Sequence, residues 1–293
     1  VGVVIASTAT EPILASGIDA AAVAVREALD GAGLDPARVH ALINVGVYRD
    51  SNIVEPAVSA LVSNKAGIGL EYFTGAVPTF SFDLMNGPCG FLNAVQVATS
   101  LLSTGSVANV VICSGDVHPS MTPQPHEVFP IAGIAAAVVL VQDDTDAGFG
   151  VLRTDSVTGP VETEGGVTIS KAGTTGRASI TVTRSIDGAA SVALAASVAR
   201  SAVESAQLDP AGVALIAGCP FDGFGAEVGD MLGAGGVVVP EHQGDPHTSS
   251  LQLAYQQAMK NERLVEYRDL VFVAGGGPTA AAITYRQKIG VRV

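Results

Sequence analysis

The chain of 293 residues contains no tryptophan, only 5% aromatic residues, three cysteines and only 15% charged residues. Each scarcity removes a class of function. Lysine and arginine number 15 against 28 aspartates and glutamates, a formal charge of −13. No basic cluster offsets that charge, so nucleic acid is excluded as a partner. Cys89, Cys113 and Cys219 have neither the spacing of metal ligands nor the density of a disulfide scaffold, so no metal is expected and a reducing cytoplasm is the expected setting. The longest strongly apolar stretch, Ile131 to Val141, is about half a membrane span. No signal peptide is apparent, and no membrane association is expected.

What is plentiful is alanine, valine and glycine within a hydrophobic fraction of 48%. That composition suits an α/β protein whose strands are buried on both faces, as one large domain or two fused halves. The halves are legible as repeats. Ala28 to Val45 (ALDGAGLDPARVHALINV) returns as Ala202 to Cys219 (AVESAQLDPAGVALIAGC), sharing Leu-Asp-Pro at 34–36 and 208–210. Cys89 to Gly115 returns as Ser249 to Gly275, and AAAVVL at 135–140 as AAAITY at 280–285. The offsets (202 − 28 = 174, 249 − 89 = 160, 280 − 135 = 145) keep the same order, so the chain reads as an internal duplication. Between the repeats, residues 142 to 190 are the least regular, with a Gly- and Thr-rich stretch from Gly165 to Ser179 expected as hairpins or a loop.

Cys89 occupies the most informative position. Thr79 to Met85 (TFSFDLM) alternates like a strand, while Gly90 to Ser103 places Phe91, Leu92, Val95, Ala98, Leu101 and Leu102 on one helical face, closed by Gly105. A cysteine on the turn into a helix meets unpaired N–H groups and the positive end of the dipole, which favour thiolate. A small buried core cysteine is the alternative.

Cys89-Gly90-Phe91 followed by Ala94, Ala137-Val138-Val139-Leu140, and Gly275-Gly276-Gly277-Pro278-Thr279 within a duplicated strand–helix unit resemble the thiolase superfamily, and most nearly ketoacyl-acyl-carrier-protein synthase III. The resemblance implies an α/β, thiolase-like five-layer αβαβα fold with mixed sheets, its halves at residues 1–148 and 149–293. It also implies a homodimer, with Phe80 to Met85 as the interface strand, and no cofactor. Substrates would be acyl-coenzyme A (acyl-CoA) or acyl-carrier protein, the acyl group passing onto Cys89.

The motifs depart from the family. Its His-Gln-Ala-Asn is replaced by Cys219-Pro220-Phe221-Asp222, and its Gly-Asp-Gly-Ala-Gly by Ala132-Gly133-Ile134-Ala135-Ala136. The stretch matching Gly-Asn-Thr-Ser is Gly244-Asp245-Pro246-His247-Thr248-Ser249, which puts Asp245 at the asparagine. Decarboxylative condensation needs neutral donors on an enolate oxygen, and a carboxylate would repel it. The expected site is therefore Cys89 with His247 as base and Asp245 or Asp222 in support, transferring an acyl group to an alcohol or amine. A non-catalytic partner subunit and a decarboxylating synthase with a non-standard triad are the alternatives. Asn86, Gly276, Gly277 and Phe91 are the candidates for shaping the turn and the substrate space, with Met85, Met121 and Phe129 as further tunnel candidates. Other roles are open for several residues. His247 is alternatively a cap or surface residue, Asp222 a cap for a helix near Gly223, and Cys219 a strand-end residue. His118 and His126 are spaced too loosely for a metal.

Overall fold

In the computed structural model, residues 2–50, 53, 55–69, 78–118, 131–157, 163–167, 180–184 and 187–288 are described. The first half runs β1 (Gly2–Pro12), α1 (Gly17–Gly31), β2 (Ala41–Asn44), α2 (Val58–Ala66), β3 (Phe80–Asp83), α3 (Gly90–Ser103), β4 (Asn109–Gly115) and β5 (Ile134–Asp143). Its sheet has the order β1-β5-β4-β2-β3, with β2 parallel to β3 and β4 and with β5 antiparallel to β4 and β1. Buried alanine and branched side chains fill β2, β4 and most of β5, as expected for strands covered on both faces.

The second half contains β6 (Gly148–Phe149), β7 (Arg153–Ser156), β8 (Thr163–Val167), β9 (Ile180–Arg184), α4 (Gly188–Ser205), β10 (Val213–Ala217), α5 (Phe224–Leu232), β11 (Gly236–Val238), α6 (Ser250–Lys260), β12 (Asp269–Ala274) and β13 (Thr279–Arg286). Its main sheet has the order β11-β10-β12-β13-β6, with β7 also on β13. Element by element this is the order of the first sheet: a central parallel pair (β10 with β12, as β2 with β4), then an antiparallel neighbour (β13, as β5). β6 joins the second sheet, with Gly148 paired to Arg286 and Phe149 to Tyr285. In the irregular region β8 and β9 pair antiparallel, while residues 168–179 lie outside the described residues.

The layers follow from which helix meets which strand. α1 and α2 lie on the first sheet, and α4 and α5 lie on the second. α3 and α6 touch strands of both sheets and form the middle layer of a five-layer αβαβα stack. The core there joins Phe91, Leu92 and Val95 of α3 to Leu251, Ala254 and Tyr255 of α6, between Ile43 and Ile112 on one side and Ile216 and Phe272 on the other. Ala94, Ala98, Ala254 and Ala258 are wholly buried, and their short side chains let the two sheets close on these helices. The repeated Leu-Asp-Pro marks a helix-to-strand turn in each half. Asp35 accepts from the N–H of Ala37 at 2.8 Å and Asp209 from Ala211 at 3.1 Å.

β3 ends the first sheet with its outer edge unpaired among the described residues, and Phe80 and Met85 are exposed there. Among the described residues no helix is long and apolar enough to cross a membrane.

Candidate active site

α3 begins directly after a tight turn, Gly87–Cys89, whose N–H at Cys89 donates to the carbonyl of Asn86 at 3.1 Å. Gly87 has φ +50°, a conformation that glycine adopts without penalty. Asn86 is exposed, and its amide donates to the Asn93 side chain at 2.7 Å, tying the turn to the first turns of the helix. The Cys89 side chain is only 2% exposed. Its sulfur lies 3.9 Å from the carbonyl oxygen of Ala274 and 3.8 Å from that of Thr279, at the end of β12 and the start of β13. Two carbonyls stabilise S–H rather than S⁻, and burial pushes the thiol up to about 12. The helix-start argument for a thiolate is therefore overruled by desolvation: the resting group is a thiol.

α6 begins in the mirrored way. The turn His247–Ser249 precedes it, and Ser249 donates to the carbonyl of Ile134 at 2.8 Å and pairs with the Ser114 hydroxyl at 2.7 Å. Ser249 and Ser114 are the repeat partners of Cys89 and Ala274 (249 − 89 = 160, 274 − 114 = 160), so each half's helix start sits on the other half's strand end. The two turns also touch each other.

The centre of this junction is Asp116, just past β4 and fully buried. One carboxylate oxygen accepts from the N–H groups of Val47 at 2.6 Å and Tyr48 at 2.7 Å. The other accepts from Nδ1 of His247 at 2.8 Å, the N–H of Thr248 at 3.3 Å and the Thr248 hydroxyl. Burial alone would raise the Asp116 carboxyl. The charge of the His247 ring and the hydrogen bonds from His247, Thr248 and Tyr48 outweigh it and hold the carboxyl below its ordinary range. Because a carboxylate only accepts, Nδ1 of His247 carries the proton, and in the neutral ring Nε2 is left as an acceptor. That nitrogen faces the nucleophile turn: a Cβ placed on Gly87 would lie 3.9 Å from it. Tyr48 packs against the same ring at 5.4 Å between centroids. His247 is held in the left-handed region, φ +50°, a conformation costing a histidine about 1–2 kcal/mol.

The structure thus rearranges the expected support. Asp116, not Asp245 or Asp222, orients the His247 ring. Asp245 accepts from the backbone N–H of His247 at 2.7 Å, and its own carbonyl accepts from Ala132 N–H at 2.9 Å, so it fixes the loop rather than the imidazole. His247 directly precedes Thr248-Ser249 in the sequence. Asp222 is exposed and does not cap a helix: the N-cap of α5 is Gly223, φ +87°, without a side-chain cap. Cys219 lies two residues past β10, partly exposed, with its sulfur 3.8 Å from the Ser250 hydroxyl.

Gly276 has φ +112°, and a Cβ there would lie 2.3 Å from Cβ of Pro220, so only glycine lets this loop pass; Gly277 faces open space. Phe91 is enclosed in the central core and lines neither cavity beside the site. His118 is buried, whereas Met121, His126 and Phe129 lie outside the described residues. No cluster of three or more His, Cys, Asp or Glu able to hold a metal occurs among the described residues. Two cavities adjoin the site. A gap of about 10 Å³, room for one water at most, lies among Pro88, Cys219, Asp245, His247 and Gly275. An open cavity of about 420 Å³ shares the wall of Cys219, Pro220 and Asp245 with it.

Asp116 was missed because a lone aspartate after a hydrophobic strand has no motif. The signal was in the repeat: Asp116 takes the place of Gly276 in the other half (276 − 116 = 160), the only acidic residue at the end of either of those strands.

Part of the sequence, and the fold, are similar to known proteins. Residues 82–159 match the family 3-oxoacyl-acyl-carrier-protein (ACP) synthase III, a stretch holding both Cys89 and Asp116. An acyl-CoA:acyl-CoA alkyltransferase of Xanthomonas campestris is 30% identical over 98 residues, 33% of this chain and 26% of that protein. A beta-ketoacyl-acyl-carrier-protein synthase III of Phocaeicola vulgatus is 32% identical over 104 residues, 34% of this chain and 29% of that protein. The aligned region thus spans under a third of either curated relative. The fold extends further. The 3-oxoacyl-(acyl carrier protein) synthase III of Pseudomonas aeruginosa, FabH, superposes with a TM-score of 0.79 at 20% identity, covering 98% of each chain. Xanthomonas campestris OleA with bound lauric acid and lauroyl-CoA gives 0.74 at 17%, covering 98% and 99%. The chain shares the fold of these solved structures, and residues 82–159 resemble the synthase III family.

Two predictions follow from these environments. Asp116→Asn should lower the unfolding free energy by about 2–4 kcal/mol at neutral pH. A depressed carboxyl stabilises the fold above its unfolded value, near 4, and that contribution fades as pH falls through the folded value. Urea midpoints of wild type and variant should therefore converge between about pH 5 and pH 2; a constant difference over that range contradicts the assignment. Iodoacetamide at neutral pH should label Cys219 first and Cys89 at least about a hundredfold more slowly than free cysteine. Peptide mapping reads both sites. Labelling of Cys89 that is already rapid and independent of pH near neutrality contradicts the buried thiol.

Proposed function

We propose that this synthase-III-like, thiolase-fold chain is an acyltransferase that carries the acyl group as a Cys89 thioester. The observation behind the reading is the Asp116–His247 pair: a buried carboxylate fixes Nδ1, and Nε2 is turned to the nucleophile turn. A thiol held protonated by burial needs a base at the moment of attack, and an imidazole with a free Nε2 is that base.

In the first half-reaction the Cys89 sulfur attacks the thioester carbonyl of acyl-CoA or an acyl-carrier protein. A new C–S bond forms, the donor's C–S bond breaks, and the thiol proton travels by way of Nε2 to the departing thiolate. In the second, an alcohol or amine attacks the Cys89 thioester. A C–O or C–N bond forms, the bond to Cys89 breaks, and the acceptor's proton returns by Nε2 to the sulfur. Decarboxylative condensation fits less well. Cys219, where the family has histidine, is a weak donor.

One observation favours a second reading, a partner subunit without chemistry of its own: the strong desolvation of Cys89. Intact-protein mass spectrometry after incubation with short and medium acyl-CoA donors, and with acyl-carrier protein, separates the two. An adduct should form on the wild type, vanish in Cys89→Ala and form at least about a hundredfold more slowly in His247→Ala. No adduct from any donor would sink the acyltransferase reading.

A homodimer belongs to the same proposal, joined along the open edge of β3, where Phe80 and Met85 are exposed. Light scattering should give twice the chain mass, and Phe80→Lys should shift it to one chain. A wild-type monomer at micromolar concentration would remove this part.

A further inference from the structure

We infer that Tyr48 is a positioning residue for His247: its ring holds the imidazole with Nε2 toward the nucleophile turn and keeps water off the Asp116–His247 hydrogen bond. What the imidazole then does rests on the acyltransferase reading; the contact itself does not.

Tyr48 reaches the site on a loop that runs along the end of β4. Beyond β2, the Val45 N–H donates to the carbonyl of Cys113 at 2.8 Å. Gly46 then passes so close that a Cβ there would lie 3.2 Å from the backbone nitrogen of Gly115. The Tyr48 N–H donates to Asp116 at 2.7 Å, and the Tyr48 carbonyl accepts from the N–H of Val117 at 3.3 Å. The next residue pins the loop from its other side. Arg49 pairs with Asp83 at 3.0 Å, and Asp83 also accepts from the N–H groups of Val58 and Ser59 at the start of α2. A side chain between two such anchors has its Cα placed for it, and the ring follows.

The half-buried ring meets two partners. The His247 imidazole lies 5.4 Å away between centroids, tilted by 44°, which is ordinary aromatic contact, and the buried Ile131 packs on Tyr48 as well. Ile131 in turn forms a parallel bridge with Asp245, the residue that accepts from the His247 N–H. Tyr48 therefore touches both the imidazole and the segment that holds the imidazole's loop. The ring is needed because Asp116 alone does not fix the base. One bond at Nδ1 sets one atom and leaves the imidazole plane free to swing Nε2 off the Gly87 turn. A second contact on the ring removes that freedom. It also shields the buried bond from water, which competes for both Nδ1–H and the carboxylate. Misplacing Nε2 by about 1 Å is enough to slow a reaction by about a hundredfold. A side chain that only filled space would be replaced as well by leucine as by phenylalanine.

The test reads the imidazole directly, in the full chain carrying isotope-labelled histidine. The proton on Nδ1 of His247, identified by its loss in His247→Ala, should give a nuclear magnetic resonance signal sheltered from exchange with water. Tyr48→Phe should keep that signal and Tyr48→Leu should lose it. Mass spectrometry of Cys89 acylation at saturating acyl-CoA should show Tyr48→Leu slowed at least about tenfold and Tyr48→Phe by no more than about threefold, with the donor concentration for half-saturation unchanged. Urea unfolding checks that each variant folds, and Tyr48→Met replaces Tyr48→Leu if the latter does not. A sheltered signal in Tyr48→Leu, an acylation rate indifferent to that change, or Tyr48→Phe as slow as Tyr48→Leu overturns the inference. The resonance needs no thioester, so the outcomes separate. Loss of the signal in Tyr48→Leu on a chain that forms no adduct keeps the positioning and removes the acyltransferase reading. A normal adduct with an unchanged signal does the reverse.

Discussion

A single buried carboxylate organises this molecule. Asp116, just past β4, gathers donors from two segments distant in sequence, the loop after β2 and the turn before α6. An ion so far from water is tolerable only when its oxygens are filled, and here each oxygen accepts more than one hydrogen. The half-to-half docking and the imidazole's tautomer therefore have one cause. Moving the loop of residues 245–249 away from β4 would strand a charge in the core, so the site and the inter-half interface are held together as one object.

The duplication explains why such a junction exists. Two copies of one strand–helix unit pack with their central helices between the sheets, and each helix starts against the partner's strand end. Cys89 faces Ala274 and Thr279, while Ser249 faces Ser114 and Ile134. Equivalent positions have then diverged: thiol against hydroxyl, and Asp116 against Gly276. Gly276 must be bare because Pro220 crowds it, and Asp116 must be charged because the His247 turn needs an acceptor.

Much of this frame was legible in the residues. The helix from Gly90 to Ser103, the strands at 213–217 and 280–285, and the five-layer class follow from period, repeats and resemblance, because the core is a local pattern repeated. The site was legible only in part. Cys89 and His247 are brought to facing turns, but the orienting partner is Asp116, which lies 131 residues from His247 and is visible only in three dimensions. Desolvation was equally out of reach: a helix start can be read from a string of letters, but a 2% exposure cannot, and it is the exposure that decides the state of the thiol.

The left-handed backbone at His247 carries a consequence for how such a site changes over evolutionary time. Asparagine is the residue that tolerates this conformation best after glycine. Histidine and asparagine codons differ at one base, so the two side chains can be exchanged in one mutational step on a backbone that already accepts either. Exchange of the two side chains at this position therefore needs no rebuilding of the loop.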